Sequence, residues 1–88
     1  MNNDRRKQIA AIVERLGELE VLVGEIMNDI MEVEQDEQDY LDNMPDSLRQ
    51  GDKGSRAEDA VMHLGDASSA LDDISVSDII SCLENAAE

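Results

Sequence analysis

The amino-acid sequence predicts an all-α chain: an antiparallel helical hairpin whose long, heptad-patterned first helix packs as a coiled-coil or four-helix-bundle oligomer. Three observations carry this. Apolar residues at Ile9, Ile12, Leu16, Leu19, Val23, Ile26, Ile30 and Val33 alternate spacings of three and four. That a/d pattern runs on through Glu37, Tyr40 and Met44 for about five heptads. The chain has no Trp or Phe and a single Tyr, so aliphatic side chains, Met and Ala must build any core, which disfavours sheets. The only proline, Pro45, falls between two helix-patterned stretches.

The elements follow in order along one domain, residues 1–88. The first helix is expected over 3–43, opening where Asn3 or Asp4 can cap free N–H groups and stopping before Pro45, whose ring disfavours α geometry at the preceding residue. Such a helix is roughly 60 Å long at 1.5 Å per residue, too long for one helix of an ordinary compact globule. The reversal is expected over 44–54, where Pro45, Asp46, Ser47, Gly51 and Gly54 concentrate turn-forming chemistry. A second helix is expected over 55–86, with Ser55 and Glu58 as a capping box. Its apolar face shifts phase around Ser75-Val76-Ser77; one continuous helix is the preferred reading, and a break with Ser77 capping a final turn is the alternative.

A chain of 88 residues buries only around 60 to 65 per cent of its unfolded surface and is marginal as a monomer. A homodimer is therefore expected, two hairpins forming a four-helix core through the seam from Ile9 to Val33. Val13, Leu22, Met27 and Met31 widen that seam, and β-branched Ile12, Ile26 and Val33 favour more than two helices around it. The seam degrades at Glu37, where a carboxylate takes a core position. A frayed helix end and a partner-facing end both account for this.

The formal net charge is −15, which sets the chain against direct contact with nucleic acid or an anionic membrane and makes a basic protein surface its natural complement. The charges are also segregated. From Gly17 to Leu48 there are eleven acidic residues and no basic one, and from Ala57 to Glu88 eight more with none. Exposed helices usually intersperse both signs; like charges at i,i+4 cost a few tenths of a kcal/mol each. The densest run, Glu32, Glu34, Asp36, Glu37, Asp39 and Asp42, spaces carboxylates about every 2.5 Å along the axis, between the roughly 1.7 Å per charge of duplex DNA and the roughly 3.4 Å of one strand. These six are the candidate partner contacts, with Arg49, Lys53 and Arg56 around the turn; a merely solvated acidic face is the competing reading.

No group suggests catalysis, and the chain is expected not to be an enzyme. His63 is the only histidine and has no second ligand at metal spacing, and the acidic clusters lack the alternating ligands, central Gly and terminal Glu of a calcium loop. Neither cofactor nor metal is expected. Cys82, the only cysteine, lies among Ile79, Ile80 and Leu83 and is expected to be buried as a small apolar residue. With no membrane-length apolar run and no leader-like start, a cytoplasmic location is expected, that of the host if the chain is phage-encoded.

The run Glu37-Gln38-Asp39-Tyr40-Leu41-Asp42-Asn43-Met44-Pro45-Asp46-Ser47-Leu48, with Gly51, Gly54 and an acidic Ala-rich helix after it, resembles short acidic two-helix coiled-coil proteins of phage and prophage genomes, in which an aromatic-x-Asp-Asn-Met-Pro-x-Ser/Asn-Leu turn joins the helices. The resemblance implies a helical hairpin of viral origin and brings no activity with it. The phase shift near Val76-Ser77 and the single Cys82 depart from the more regular second helices of that group. Charge and resemblance together point to a phage-type accessory protein that binds another protein, most concretely a nucleic-acid-mimicking inhibitor of a host defence or DNA-processing protein. The alternatives are a structural or assembly oligomer of a virion, and a small regulatory adaptor or antitoxin-like module.

Overall fold

A computed structural model describes residues 1–88, and all its regular structure is helical: α1 (Asn3–Asp42), α2 (Asp46–Arg49), α3 (Asp52–Asp72) and α4 (Val76–Ala86). The chain divides into two compact units, Met1–Glu25 with Ile74–Glu88, and Ile26–Asp73.

Each end of α1 has a local cause. Asn2 is the cap, one residue before the expected position: its Oδ1 accepts from the Arg5 amide at 2.8 Å, and its carbonyl accepts the first helical bond, from Arg6, at 3.1 Å. At the other end, the Asp39 carbonyl accepts from both the Asn43 backbone amide at 3.0 Å and the Asn43 side-chain amide at 2.8 Å, which doubles the last bond of the helix before Pro45.

In the second unit the chain turns back on itself as a helical hairpin. The reversal holds a further short helix that the sequence did not disclose, α2, entered from Pro45, whose carbonyl accepts from Leu48 and Arg49. The second arm starts at Asp52 instead of Ser55. Gly51 in extended geometry (φ −96°, ψ −166°) is its N-cap, and no side-chain capping bond forms, so the Ser55–Glu58 box is not used. Gly54 is therefore not a turn residue. It lies in the first turn of α3, buried, where a Cβ would sit 2.7 Å from Arg49 Cα and closer still to the Arg49 carbonyl. Absence of a side chain is what lets α3 start against α2.

The hairpin core is small. Leu41 (5% exposed), Met44 and Ala57 (2%) form one buried cluster next to the turn. Farther from it, Gly65 of α3 approaches Glu34 of α1, with a Gly65 Cβ placed 3.5 Å from Glu34 Oε1. The pairing of Ala57 with Leu41 and of Gly65 with Glu34 sets α1 and α3 antiparallel. The inward face of α3 is Ala57, Val61, Leu64, Ser68 and Leu71. Ser68 Oγ is shielded from solvent without a hydrogen-bond partner. Removing that hydroxyl relieves an unpaired polar atom and improves helix propensity, so Ser68→Ala is expected to stabilise the fold by about 1 kcal/mol. A lower thermal midpoint for the variant would show that the hydroxyl has a partner.

The continuous second helix is overturned. Asp73, Ile74 and Ser75 separate α3 from α4, and Ser75, at φ −82°, ψ 75°, is the centre of an inverse γ-turn in which the Val76 amide donates to the Ile74 carbonyl at 3.0 Å. Ser75, not Ser77, is the N-cap; the first α4 bond runs from Ile79 to its carbonyl. The reason lies in the apolar spacing. The α3 face steps 57, 61, 64, 68, 71 and would continue through 75, 78 and 82, whereas the apolar residues actually present are Val76, Ile80, Leu83 and Ala87. One extra residue would rotate a continuous helix by about 100° and turn these outward. The break absorbs it, leaving Val76 3% exposed.

The same slip corrects the expectation for Cys82, which would have lain on the inward face of an unbroken helix and is instead exposed. In the first unit, Arg6 Nε donates to the Ala87 carbonyl at 2.9 Å, placing a cation on the carbonyl end of α4. Beside this bond Ile9, Ala10, Val13 and Ala87 line a shallow cavity of about 360 Å³.

Candidate protein-interaction surface

The burial pattern sorts the surface of α1 into columns. The face turned toward the rest of the chain combines Ile9, Leu16, Val23, Ile30 and Glu37 with a second column one residue past the expected d positions, Val13, Met27, Glu34 and Leu41. In the expected seam, Ile9, Leu16, Val23 and Ile30 are thus partly covered within one chain. Ile12, Leu19, Ile26 and Val33 are not; together with Tyr40 they remain 39% to 54% exposed.

The same sorting divides the six acidic candidates. Glu34 and Glu37 are half-buried on the inward face, and Asp42 is exposed with its Oδ1 4.0 Å from Arg49 Nη2, the only ion pair. Glu32, Asp36 and Asp39 are exposed and fall in one line. Two residues outside the expected set, Glu25 and Asp29, extend that line, giving steps of four, three, four and three from Glu25 to Asp39. These steps bring successive side chains together on one helical stripe, with a carboxylate about every 5 Å along the axis. Density along the sequence concealed the line because it counted Glu34 and Glu37, which point elsewhere; the three-four spacing was there to be read.

Two side-chain bonds order the end of this region, Gln35 Nε2 to Asp39 Oδ1 and Gln38 Nε2 to Asp42 Oδ1, both 2.9 Å. Asp39 and Asp42 lie at the negative end of the α1 dipole, where the last turn holds no basic residue. Only Arg49, at the edge of reach and with both partners about half exposed, offsets this, and such a pair contributes little. The other basic candidates, Lys53 and Arg56, are exposed on the first two turns of α3 without an acidic partner.

Charge repulsion in the native helices should therefore exceed ion-pair attraction. Raising NaCl from 0.01 to 0.5 M shrinks the screening length from roughly 30 Å to about 4 Å and is expected to raise the thermal midpoint followed by circular dichroism. A midpoint that falls with salt would contradict this balance.

His63 is exposed, and no cluster of three or more His, Cys, Asp or Glu is arranged to hold a metal ion. No helix is long and apolar enough to cross a membrane. The chain matches no protein-family model, no curated protein and no solved structure.

Proposed function

We propose that this chain is a phage-type accessory protein, not an enzyme, that works by binding another protein. Its acidic stripe lies against the basic, nucleic-acid-binding surface of a host defence or DNA-processing protein and blocks it in the host cytoplasm. The observation that carries this reading is the exposed file of Glu25, Asp29, Glu32, Asp36 and Asp39 on one face of a regular helix. Each neighbouring pair in that file costs a few tenths of a kcal/mol in isolation, and a basic groove of opposite sign recovers the cost while steering encounter. Arg49, within 4.0 Å of Asp42, and Lys53 and Arg56 on the first two turns of α3 serve as secondary contacts. The resemblance of the Asp42-Asn43-Met44-Pro45 turn to phage proteins supports the setting.

The test is to identify proteins retained by the immobilised chain from host extract, and then to challenge the complex with duplex DNA. A retained nucleic-acid-binding protein that is released by DNA is the expected result. Retention that DNA does not disturb would sink the mimicry reading.

A second reading, a structural or assembly oligomer, is favoured by a different observation: a single chain buries only Leu41, Met44, Ala57 and Val76 among its apolar residues. It expects assembly through the exposed column of α1 and no tight partner.

A further inference from the structure

The column Ile12, Leu19, Ile26, Val33 and Tyr40 is an apolar file on α1 that nothing in its own chain covers. We infer that a second copy of the chain covers it, α1 against α1 and antiparallel, with Ile26 on the two-fold axis. This gives the expected homodimer an orientation and a register, and it shares Asp29 and Asp36 with the acidic stripe.

Charge sets the orientation. The first fifteen residues of α1, Asn3 to Gly17, hold Arg5, Arg6, Lys7 and Arg15 against Asp4 and Glu14; the last fifteen, Asn28 to Asp42, hold seven acidic residues and no basic one. A parallel pair stacks the acidic halves on each other, whereas an antiparallel pair centred on Ile26 sets each acidic half beside residues 10–24, which hold Glu14, Glu18, Glu20 and Arg15, and so keeps the two densest acidic runs apart.

The column itself sets the register. Only one antiparallel alignment engages all five members: Ile12 with Tyr40, Leu19 with Val33, and Ile26 with Ile26 of the second copy. In antiparallel pairs each flank of one helix meets the same flank of the other. On the outer flank this alignment brings Arg15 to Asp36 and Gln8 to Asn43 of the second copy. Arg15 is the one basic residue between Lys7 and Arg49, so its position opposite an acid is informative. The weakest match on that flank is Leu22 beside Asp29. On the inner flank Val23 meets Ile30, completing residues that one chain leaves partly exposed.

The surface left in water is large. The chain exposes 6511 Å², whereas a compact monomer of its mass exposes roughly 5,100 Å². That excess is larger than the about 800 Å² per partner of a standard interface. The pairing also leaves Glu25, Glu32 and Asp39, which lie farther round the helix than Asp29 and Asp36, free for another protein.

Cross-linking reads the register directly, in a Cys82→Ser background of the full chain. Ile26→Cys is expected to form a disulfide-linked dimer under mild oxidation, because only at the axis do identical residues meet within disulfide reach. Leu19→Cys and Val33→Cys alone should not cross-link, and a mixture of the two should. Cross-linking of Leu19→Cys with itself would overturn the antiparallel arrangement, and a monomer in sedimentation equilibrium at 100 µM or above would overturn the dimer. Arg15→Asp is expected to weaken dimerisation roughly 3- to 10-fold, two symmetric pairs being lost, and Arg15→Asp with Asp36→Arg to restore it. Loss without restoration, or no loss, would overturn the Arg15–Asp36 contact. None of these measurements involves the acidic-surface partner.

Discussion

Gly54→Ala is expected to destabilise the protein by roughly 3 kcal/mol or more, because the added carbon overlaps backbone instead of a side chain that can move aside. At about 4 to 8 °C per kcal/mol for a domain of this size, the thermal midpoint should fall by at least about 12 °C. The overlap is with the Arg49 carbonyl and Cα, so relief requires α2 and α3 to separate, and with them the chain reversal that places Ala57 against Leu41 and Met44. Gly17 and Gly24 supply the control, since a Cβ at either position meets nothing within 4 Å. Alanine there should stabilise α1 by about 0.5 to 1 kcal/mol each through helix propensity alone. A Gly54→Ala variant that melts with the wild type would show that the α2–α3 approach is not as close as described.

Ile26→Asp is expected to have the largest effect on assembly. Ile26 is 39% exposed in the single chain, so as a surface substitution it would matter little. On the two-fold axis it meets itself, and the substitution then removes two apolar side chains from contact and sets two carboxylates against each other. The expected weakening is on the order of a thousandfold, about 4 kcal/mol per dimer. Because so few apolar residues are buried within one chain, helicity should fall with dissociation. Sedimentation equilibrium and circular dichroism on the same samples check both parts; a dimer of unchanged affinity, or a monomer of undiminished helicity, would contradict the account.

The contrast between Leu41 and Tyr40 shows how much of the fold was legible in the sequence. The heptad run located α1 to within a residue at its end, because Pro45 and the apolar spacing agree. Three-four spacing alone, however, favoured the wrong flank of the Ile9-Leu16-Val23-Ile30 column for packing within one chain. Ile12, Leu19, Ile26, Val33 and Tyr40 run unbroken on one side, whereas Glu20 and Glu34 interrupt Val13, Met27 and Leu41 on the other, yet it is the second side that the chain's own helices partly cover. The same limit split the acidic set, leaving Glu34 and Glu37 inward and bringing Glu25 and Asp29 into line with Glu32. The second arm was read less well, since its start depends on the fit of Gly54 against Arg49 and its break on one surplus residue. That surplus was visible as a phase shift; the inverse γ-turn that resolves it, and so the exposure of Cys82, was not.

The central claim is that one stripe of α1, and not acidity in general, recognises a basic protein. Two variants of equal charge change separate these. Glu25→Gln with Glu32→Gln removes two charges from the stripe, and Glu34→Gln with Glu37→Gln removes two from the inward face, all without altering side-chain size. Affinity for the retained host protein, measured by titration calorimetry at fixed salt, is expected to fall at least about 10-fold for the first pair, as for loss of two charge contacts, and less than about 2-fold for the second. Equal losses for the two pairs would contradict the claim.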